Sequence, residues 1–147
     1  MKNNKLYNVM FPVWMLILFP VVWLVVIPGN FIIDSIVFII SMYCLKLENK
    51  KQLYKKNILK IFVFGFLSDI IGSLILLAMV YLEFGVMGDE WYLTVPTLFI
   101  ASGLIFVFNY FITFRKLDFK TRLMLSLIMA IVTAPYTFLI PNSWIYY

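Results

Sequence analysis

Apolar residues in this chain lie in long blocks that short charged segments separate. Five stretches with few or no charges can be marked, at about 9–28, 30–45, 61–82, 95–114 and 123–140. Each is close to the roughly 20 residues with which a helix crosses a hydrocarbon core of about 30 Å, the second being the shortest. The pattern predicts an all-α integral membrane protein whose residues 1–147 form one domain, a bundle of five transmembrane helices.

The first stretch contains prolines that complicate its prediction as one helix. In "FPVWMLILFPVVWLVVIPGN", residues 11–30, Pro28 lies where the first helix should stop, and "PGN" predicts a tight turn. Pro20 lies inside the span and cannot donate a hydrogen bond to the carbonyl of Leu16, so it predicts a helix kink. Asn30 is then expected to cap a second helix that returns antiparallel to the first.

The charges predict an orientation. All 12 lysines and arginines lie before the first span, in the segment 46–60 between the second and third spans, or in the segment 115–122 between the fourth and fifth. Five spans would bring them to one side, which the positive-inside rule makes the cytoplasm. We therefore expect a multi-pass cell-membrane protein with a cytoplasmic N-terminus and its C-terminus outside. The abundance of Lys, Asn and Ile suggests a bacterial membrane.

Composition narrows the classes of function. Hydrophobic residues make up 64% of the 147 positions and charged residues 13%, and the mean hydropathy is +0.99, which leaves no room for a soluble catalytic or nucleic-acid-binding domain. The chain has no histidine and a single cysteine, Cys44, so the usual ligand sets of zinc, haem and iron–sulfur clusters are missing. We expect a protein that is not an enzyme, holds no metal or cofactor and binds no nucleic acid.

Asp69 is the polar residue whose presence in a membrane-spanning helix is hardest to explain. Counted from Lys60 at 1.5 Å per residue, it lies about 14 Å into the membrane, near the midplane. A charged group there costs roughly 2.5–3.5 kcal/mol on insertion scales. The small residues Gly65, Ser68 and Ser73 lie on or beside its helical face, as in close helix contacts. Two interpretations stay open: a protonated carboxyl that holds helices or subunits together, and a group that relays protons or cations.

Asp34 is predicted to lie nearer the outer boundary, four residues after Asn30 and on the same helical face. A carboxylate near a helix start is favoured by unpaired N–H groups, and a role as outer gate or ion ligand is the alternative. Its predicted depth differs from that of Asp69 by roughly 8–10 Å, which argues against an aspartyl-protease pair. Because Pro20 lies at nearly the depth of Asp69, the carbonyl of Leu16 is a candidate partner for the Asp69 carboxyl.

Further polar residues lie in the last two predicted spans. Ser102, Asn109 and Thr113 share one face of the fourth span, where hydrogen bonds between helices are the ordinary explanation. Pro135 predicts a second kink, in the fifth span, and Thr133 is expected to help satisfy the backbone beside it.

The segment 46–60 is the longest stretch outside the predicted spans. Four of its lysines are candidates for binding lipid headgroups or a cytoplasmic partner: Lys50, Lys51, Lys55 and Lys56. The positive-inside rule alone would also account for them.

Two functions are compatible with these residues. In the first, the protein is an accessory, assembly or interaction subunit of a larger membrane complex, and Asp69 with its small-residue face docks other membrane helices. In the second, it is a small homo-oligomeric transporter or channel for protons, cations or a small solute, with Asp69 as the titrating group. Five short helices with one acid near the midplane offer few groups to line a transport pathway, which favours the first function. The expected partners are the lipid bilayer and another membrane protein or a second copy.

Overall fold

The computed structural model of the protein describes residues 13–82 and 91–140 together with Trp144. Over these residues the chain is helical and has no β-strand. Its α-helices are α1 (Trp23–Cys44), α2 (Lys50–Leu82), α3 (Trp91–Phe108) and α4 (Phe119–Val132). Shorter helices accompany them in the described ranges: 3-10 helices at Val13–Leu18 and Tyr136–Leu139, and a π-helix at Asn109–Thr113.

Four segments of the described chain are long and apolar enough to cross a membrane: α1, α2, Trp91–Thr113 and Phe119–Leu139. On α1, Leu24 and Val25 are 80% and 76% exposed, as apolar side chains facing lipid would be. The predicted all-helical membrane bundle is therefore confirmed at this level, whereas the fifth span and the orientation of the termini are not. In the described part of the first predicted span, a six-residue 3-10 helix and a turn at residues 19–22 precede α1.

The turn predicted at residues 28–30 is wrong, because α1 continues through Pro28 and Asn30 to its end at Cys44. A proline removes one helical hydrogen bond, but stopping the helix would leave up to about four carbonyls without partners in apolar surroundings. Continuing the helix is therefore the smaller loss. Asn30 lies inside α1 instead of capping it.

Pro20 lies in the turn before α1, so the predicted kink inside a continuous helix is not formed. The carbonyl of Leu16, which was expected to lose its partner, accepts a hydrogen bond from the N–H of Phe19 at 3.1 Å. The indole N–H of Trp23 donates to the carbonyl of Ile17 at 2.7 Å. This bond holds the first 3-10 helix against the start of α1.

Pro135 likewise follows a helix instead of bending one, since α4 has already ended. Proline at this position has no N–H for the carbonyl of Ile131, and the hydroxyl of Tyr136 donates to that carbonyl instead. The hydroxyl of Thr133 donates to the carbonyl of Met129 at 2.7 Å. The partner that Pro135 cannot supply thus comes from Tyr136 and not, as predicted, from Thr133, whose hydroxyl bonds a carbonyl that already accepts the N–H of Thr133 at 3.0 Å.

The basic segment 46–60 is largely helical, because α2 begins within it. α1 ends in a Schellman motif, in which the N–H of Leu47 donates to the carbonyl of Met42 at 3.1 Å. The N–H of Lys46 donates to the carbonyl of Tyr43, also at 3.1 Å, and Lys46 takes a left-handed conformation with φ 51°. The motif reverses the chain and brings the following lysines onto the first turns of α2.

Two apolar clusters hold the helices together, and α2 contributes to both of them. The cluster nearer the α1–α2 connection contains Phe38 and Phe114, whose rings lie 5.7 Å apart between centroids. The cluster at the other end contains Leu76, Ala101 and Phe138. Each of the four helices packs against two neighbours, α1 against α2 and α4 and α3 against α2 and α4, so they form a ring.

At Gly72, α2 packs closely against its neighbours. A Cβ at this position would lie 2.8 Å from the ring of Phe138 and 3.1 Å from the Cβ of Ala101. A side chain there requires movement of the second 3-10 helix or of α3.

We predict that Gly72→Ala lowers the free energy of unfolding in detergent by about 1–3 kcal/mol, because the added methyl group overpacks this contact. Gly103→Ala in α3 is the matched control, since nothing lies within 4 Å of a Cβ there. The control should be about 0.5–1 kcal/mol more stable than wild type, as helical Ala replaces Gly. Denaturant unfolding followed by circular dichroism measures both variants, and equal effects would contradict the close contact.

Asp118 caps α4, and its carboxylate accepts a hydrogen bond from the N–H of Thr121 at 3.2 Å. Hydrogen bonds from the side chain and the backbone of Thr121 hold the pKa of Asp118 below its ordinary value. A carboxyl whose pKa is lowered by folding stabilises the fold above its unfolded pKa. This stabilisation is lost as the pH falls through the folded pKa.

We expect Asp118→Ala to be less stable than wild type at neutral pH and to lose less stability on acidification, because no capping carboxylate remains to be protonated. Asp118→Asn is the control, since its amide oxygen can still cap the helix but does not titrate. Thermal unfolding in detergent from neutral pH down to about pH 3 covers the range below the ordinary carboxyl pKa. Parallel acid curves for wild type and Asp118→Ala would contradict the capping role.

Candidate functional site

Asp34 of α1 and Asp69 of α2 line one cavity of about 230 Å³. The two residues, which the sequence analysis kept apart, therefore share one space. Because α1 is continuous, Asp34 lies well inside it and faces Gly65, one helical turn before Asp69: a Cβ at Gly65 would lie 3.4 Å from Oδ2 of Asp34. Two carboxyl groups from neighbouring helices share one space inside an apolar bundle.

The opposite wall of this cavity is formed by the chain around the end of α4, residues 132–137. Because Pro135 follows the end of the helix, this segment brings Thr133 and Thr137 to the lining. We call this space, lined mainly by Asn30, Asp34, Gly65, Asp69 and residues 132–137, the acidic cavity. Within residues 13–82 and 91–140, no lysine or arginine lines it.

Asp69 has an incomplete set of hydrogen bonds. Its Oδ2 accepts a long bond from the Nδ2 of Asn30, at 3.5 Å. Its Oδ1 is buried and has no hydrogen-bond partner among the described residues. The predicted partner, the carbonyl of Leu16, is taken by the N–H of Phe19. A buried carboxyl oxygen without a donor is unfavourable when ionised, so this atom needs a proton or a cation.

A second cavity, of about 240 Å³, adjoins the acidic cavity. The two share five lining residues, Asn30, Ile33, Asp69, Pro135 and Thr137. The remaining lining of the second cavity is mostly apolar: Leu16, Ile17, Val22, Val26, Gly29 and Phe138. The Asp69 carboxyl thus lies between a polar space and an apolar one.

The small residues predicted to accompany Asp69 face the interior of this chain. Gly65, Ser68 and Ser73 are buried. The hydroxyl of Ser68 donates to the carbonyl of Phe64 at 2.7 Å, which satisfies it within its own helix. These three residues therefore pack helices of the same chain.

Comparison with protein-family models, with curated proteins and with solved structures gave no match. The function is therefore inferred from the residues of this chain and their geometry.

The polar residues of the fourth predicted span have two different environments. The hydroxyl of Ser102 donates to the carbonyl of Ala130 at 2.7 Å and so links α3 to α4. Asn109 is fully buried, and neither polar atom of its side chain has a hydrogen-bond partner among the described residues. The hydroxyls of Thr113 and Ser126 are also buried, and neither has a hydrogen-bond partner among the described residues. The interhelical bond expected of the span is made by Ser102 and not by Asn109.

The four lysines singled out from the sequence lie on the first two turns of α2. Lys50 lies over the ring of Tyr43, 5.0 Å from its centroid, which connects the start of α2 to the end of α1. Lys51 and Lys55 are exposed. Lys56 is exposed too, but it also lines a cavity toward the α3–α4 connection.

Two contributions to the acidic cavity were missed by the sequence analysis. The first is the wall that includes Tyr136 and Thr137, and the signal available for it was the proline that ends α4. The second is the pairing of Asp34 with Asp69. The placement of Asn30 four residues before Asp34 was a partial signal, since both side chains line the cavity with Asp69.

Proposed function

We propose that this protein is a small membrane transporter or channel for protons or small cations, with Asp69 as the ion-binding group and Asp34 as its partner. The observation that carries the proposal is the convergence of these two carboxyl groups on one cavity that, in the described part of the chain, no basic side chain lines. Ionisable residues inside membrane-spanning segments commonly mark ion pathways and proton relays.

The physical argument rests on charge. Two carboxylates that share a site in apolar surroundings repel each other, so they are not both ionised without a compensating positive charge. A proton or a small cation supplies that charge. Asn30 and the hydroxyls of Thr133 and Thr137 line the same cavity and offer further oxygen atoms to a cation.

The proposed orientation rests on the basic residues. The α1–α2 and α3–α4 connections lie side by side, since Leu47 and Glu48 line one cavity with Leu117 and Asp118. Ten of the 12 lysines and arginines lie in or beside these connections, and Lys2 and Lys5 lie outside the described residues. By the positive-inside rule, this basic end of the bundle is cytoplasmic in a bacterial cell membrane.

Cysteine labelling in cells tests this orientation. In a Cys44→Ser background, we expect Asn49→Cys and Asn3→Cys to react with a membrane-impermeant maleimide only after the membrane is opened. The expectation for Asn3 follows from Lys2 and Lys5 beside it. Asp89→Cys, in the acidic segment between α2 and α3, should react in intact cells. The two spans predicted between Asn3 and Asn49 place both residues on the same side of the membrane. Labelling of Asn3→Cys and Asn49→Cys from opposite sides would contradict that topology.

The transport proposal is tested by proton flux in liposomes that contain the purified protein and a pH-sensitive dye. With an imposed potassium diffusion potential, we expect wild type to admit protons and Asp69→Asn to be slower by about tenfold or more, since an amide cannot carry the proton. Asp34→Asn should also be slower. Asp118→Asn is the matched control, because it removes an acid at a helix cap outside the cavity, and its flux should stay within about twofold of wild type.

The same experiment with a sodium or potassium gradient and no proton carrier identifies a cation other than the proton. Wild-type flux of every tested ion equal to that of empty liposomes would overturn the proposal, and so would wild-type rates in Asp69→Asn.

An interaction subunit is the second candidate, and the large exposed apolar faces of the helices are compatible with it. Gly65 and Ser68 are buried within the chain and Asp69 is half-buried, which leaves less of this face for docking to another protein than that hypothesis assumed. A second protein recovered in fixed stoichiometry in mild detergent, together with absent ion flux, would favour this candidate over transport.

A further inference from the structure

A separate cavity of about 290 Å³ lies at the basic end of the bundle, between the first turns of α2 and the α3–α4 connection. Its rim carries four exposed cations, Lys56 and Lys60 from α2 and Arg115 and Lys116 from the connection. Among the residues that the structure describes, no acidic side chain lines it. The acid nearest in sequence to Lys116, Asp118, accepts the N–H of Thr121 as a helix cap.

Two buried polar side chains, Thr113 and Asn57, also line this cavity. Asn57 is satisfied within its own helix, since its Nδ2 donates to the carbonyl of Leu53 at 3.1 Å. Thr113 is only 6% exposed, and its hydroxyl has no hydrogen-bond partner among the described residues. A buried hydroxyl without a partner is unfavourable, and a ligand at this cavity would offer it an acceptor.

The π-helix explains how Thr113 reaches this position. The N–H of Phe114 donates to the carbonyl of Asn109 at 2.8 Å, five residues earlier, so the last turn of the span is wider than an α-helical turn. Such π-helical turns are rare in proteins overall, but those that occur are often found at functional sites. Here the wide turn ends at Thr113 and is followed directly by Arg115 and Lys116 on the cavity rim.

We propose that this cavity, the basic cavity, binds a phosphate group. Phosphate oxygens accept hydrogen bonds from arginine, lysine and hydroxyl groups, and a phosphate brings the negative charge that the four cations lack. The phosphate belongs to the headgroup of an anionic phospholipid or to a soluble phosphate ion. The cavity shares no lining residue with the acidic cavity, so this proposal does not depend on the proposed transport function.

Binding is measured on the purified full chain in mild detergent with two probes. Native mass spectrometry titrates phosphatidylglycerol, and equilibrium dialysis with radiolabelled inorganic phosphate titrates the free ion. We expect saturable binding of one equivalent of at least one probe. Saturation by phosphatidylglycerol alone assigns the site to a lipid headgroup, and saturation by inorganic phosphate assigns it to the free ion.

Two test variants remove ligands of the proposed site. Lys60→Gln combined with Lys116→Gln should weaken binding by about tenfold or more, since each hydrogen bond to a charged group contributes at least about that factor. Thr113→Val keeps the shape of the side chain but removes the hydroxyl, and it should weaken binding by a similar factor.

The matched control is Lys51→Gln combined with Lys55→Gln. These lysines lie on the first two turns of α2 and line a different, open surface with Asn49 and Gln52. The control removes the same charge and should bind within about twofold of wild type. Circular dichroism and gel filtration of each variant confirm that it is folded.

Three results would overturn the proposal. One is that neither probe saturates. Another is that the control pair weakens binding as much as the test pair, which would reveal general attraction of anions to lysines. The third is that Thr113→Val binds like wild type.

Discussion

Polar side chains inside this apolar bundle are held chiefly by the carbonyl one turn earlier in their own helix. Five side chains donate to the carbonyl four residues before them: Ser41, Asn57, Ser68, Thr97 and Thr133. In apolar surroundings a donor must find a partner within the protein, and this bond supplies one without help from another helix. The helices can then pack mainly through apolar contacts, with a few hydrogen bonds between them, such as that from Ser102 to Ala130. An ionised carboxylate has no donor and cannot use this solution, which sets Asp34 and Asp69 apart from the hydroxyls around them.

The sequence alone predicted the helical class and the positions of three spans well, because long charge-free blocks can be recognised from their residue types alone. It failed at Pro28 and Asn30, where turn preferences measured in water do not hold. In a bundle surrounded by lipid, a helix that ends early leaves its carbonyls unpaired, so α1 continues through both residues. It also missed the start of α2 at Lys50, since a helix that extends beyond the apolar block leaves no mark in hydropathy.

The individual residues of the candidate site were identified from the sequence, but their arrangement in space was not. Asp69, Asp34 and Asn30 were identified from their polarity, yet their convergence depends on how α1 and α2 are aligned along their lengths. That alignment is set by the Schellman motif at Lys46, whose left-handed backbone in a residue other than glycine gives no clear sequence signal. The unpaired hydroxyl of Thr113 was equally hidden, because sequence periodicity assumes an α-helix where the chain forms a π-helix.

α2 carries residues of both proposed sites, Lys60 in the basic cavity and Asp69 in the acidic one, about 14 Å apart along the helix at 1.5 Å per residue. The basic residues lie at the end of the apolar block and the acidic ones lie inside it. This arrangement suits the different needs of the two charges, because long lysine side chains reach water from a helix end and a short carboxyl in the interior does not.

The π-helix has a consequence for how this chain can change over generations. A wide turn holds one residue more than the α-helical turn it replaces. The extra residue is absorbed within the turn, so loss of a single codon between Asn109 and Thr113 would restore an ordinary α-helical turn without turning Arg115 and Lys116 away from Lys60. The cations on the rim of the basic cavity therefore tolerate a change of length in this segment. Thr113 does not, because it lies inside the wide turn and its placement depends on it.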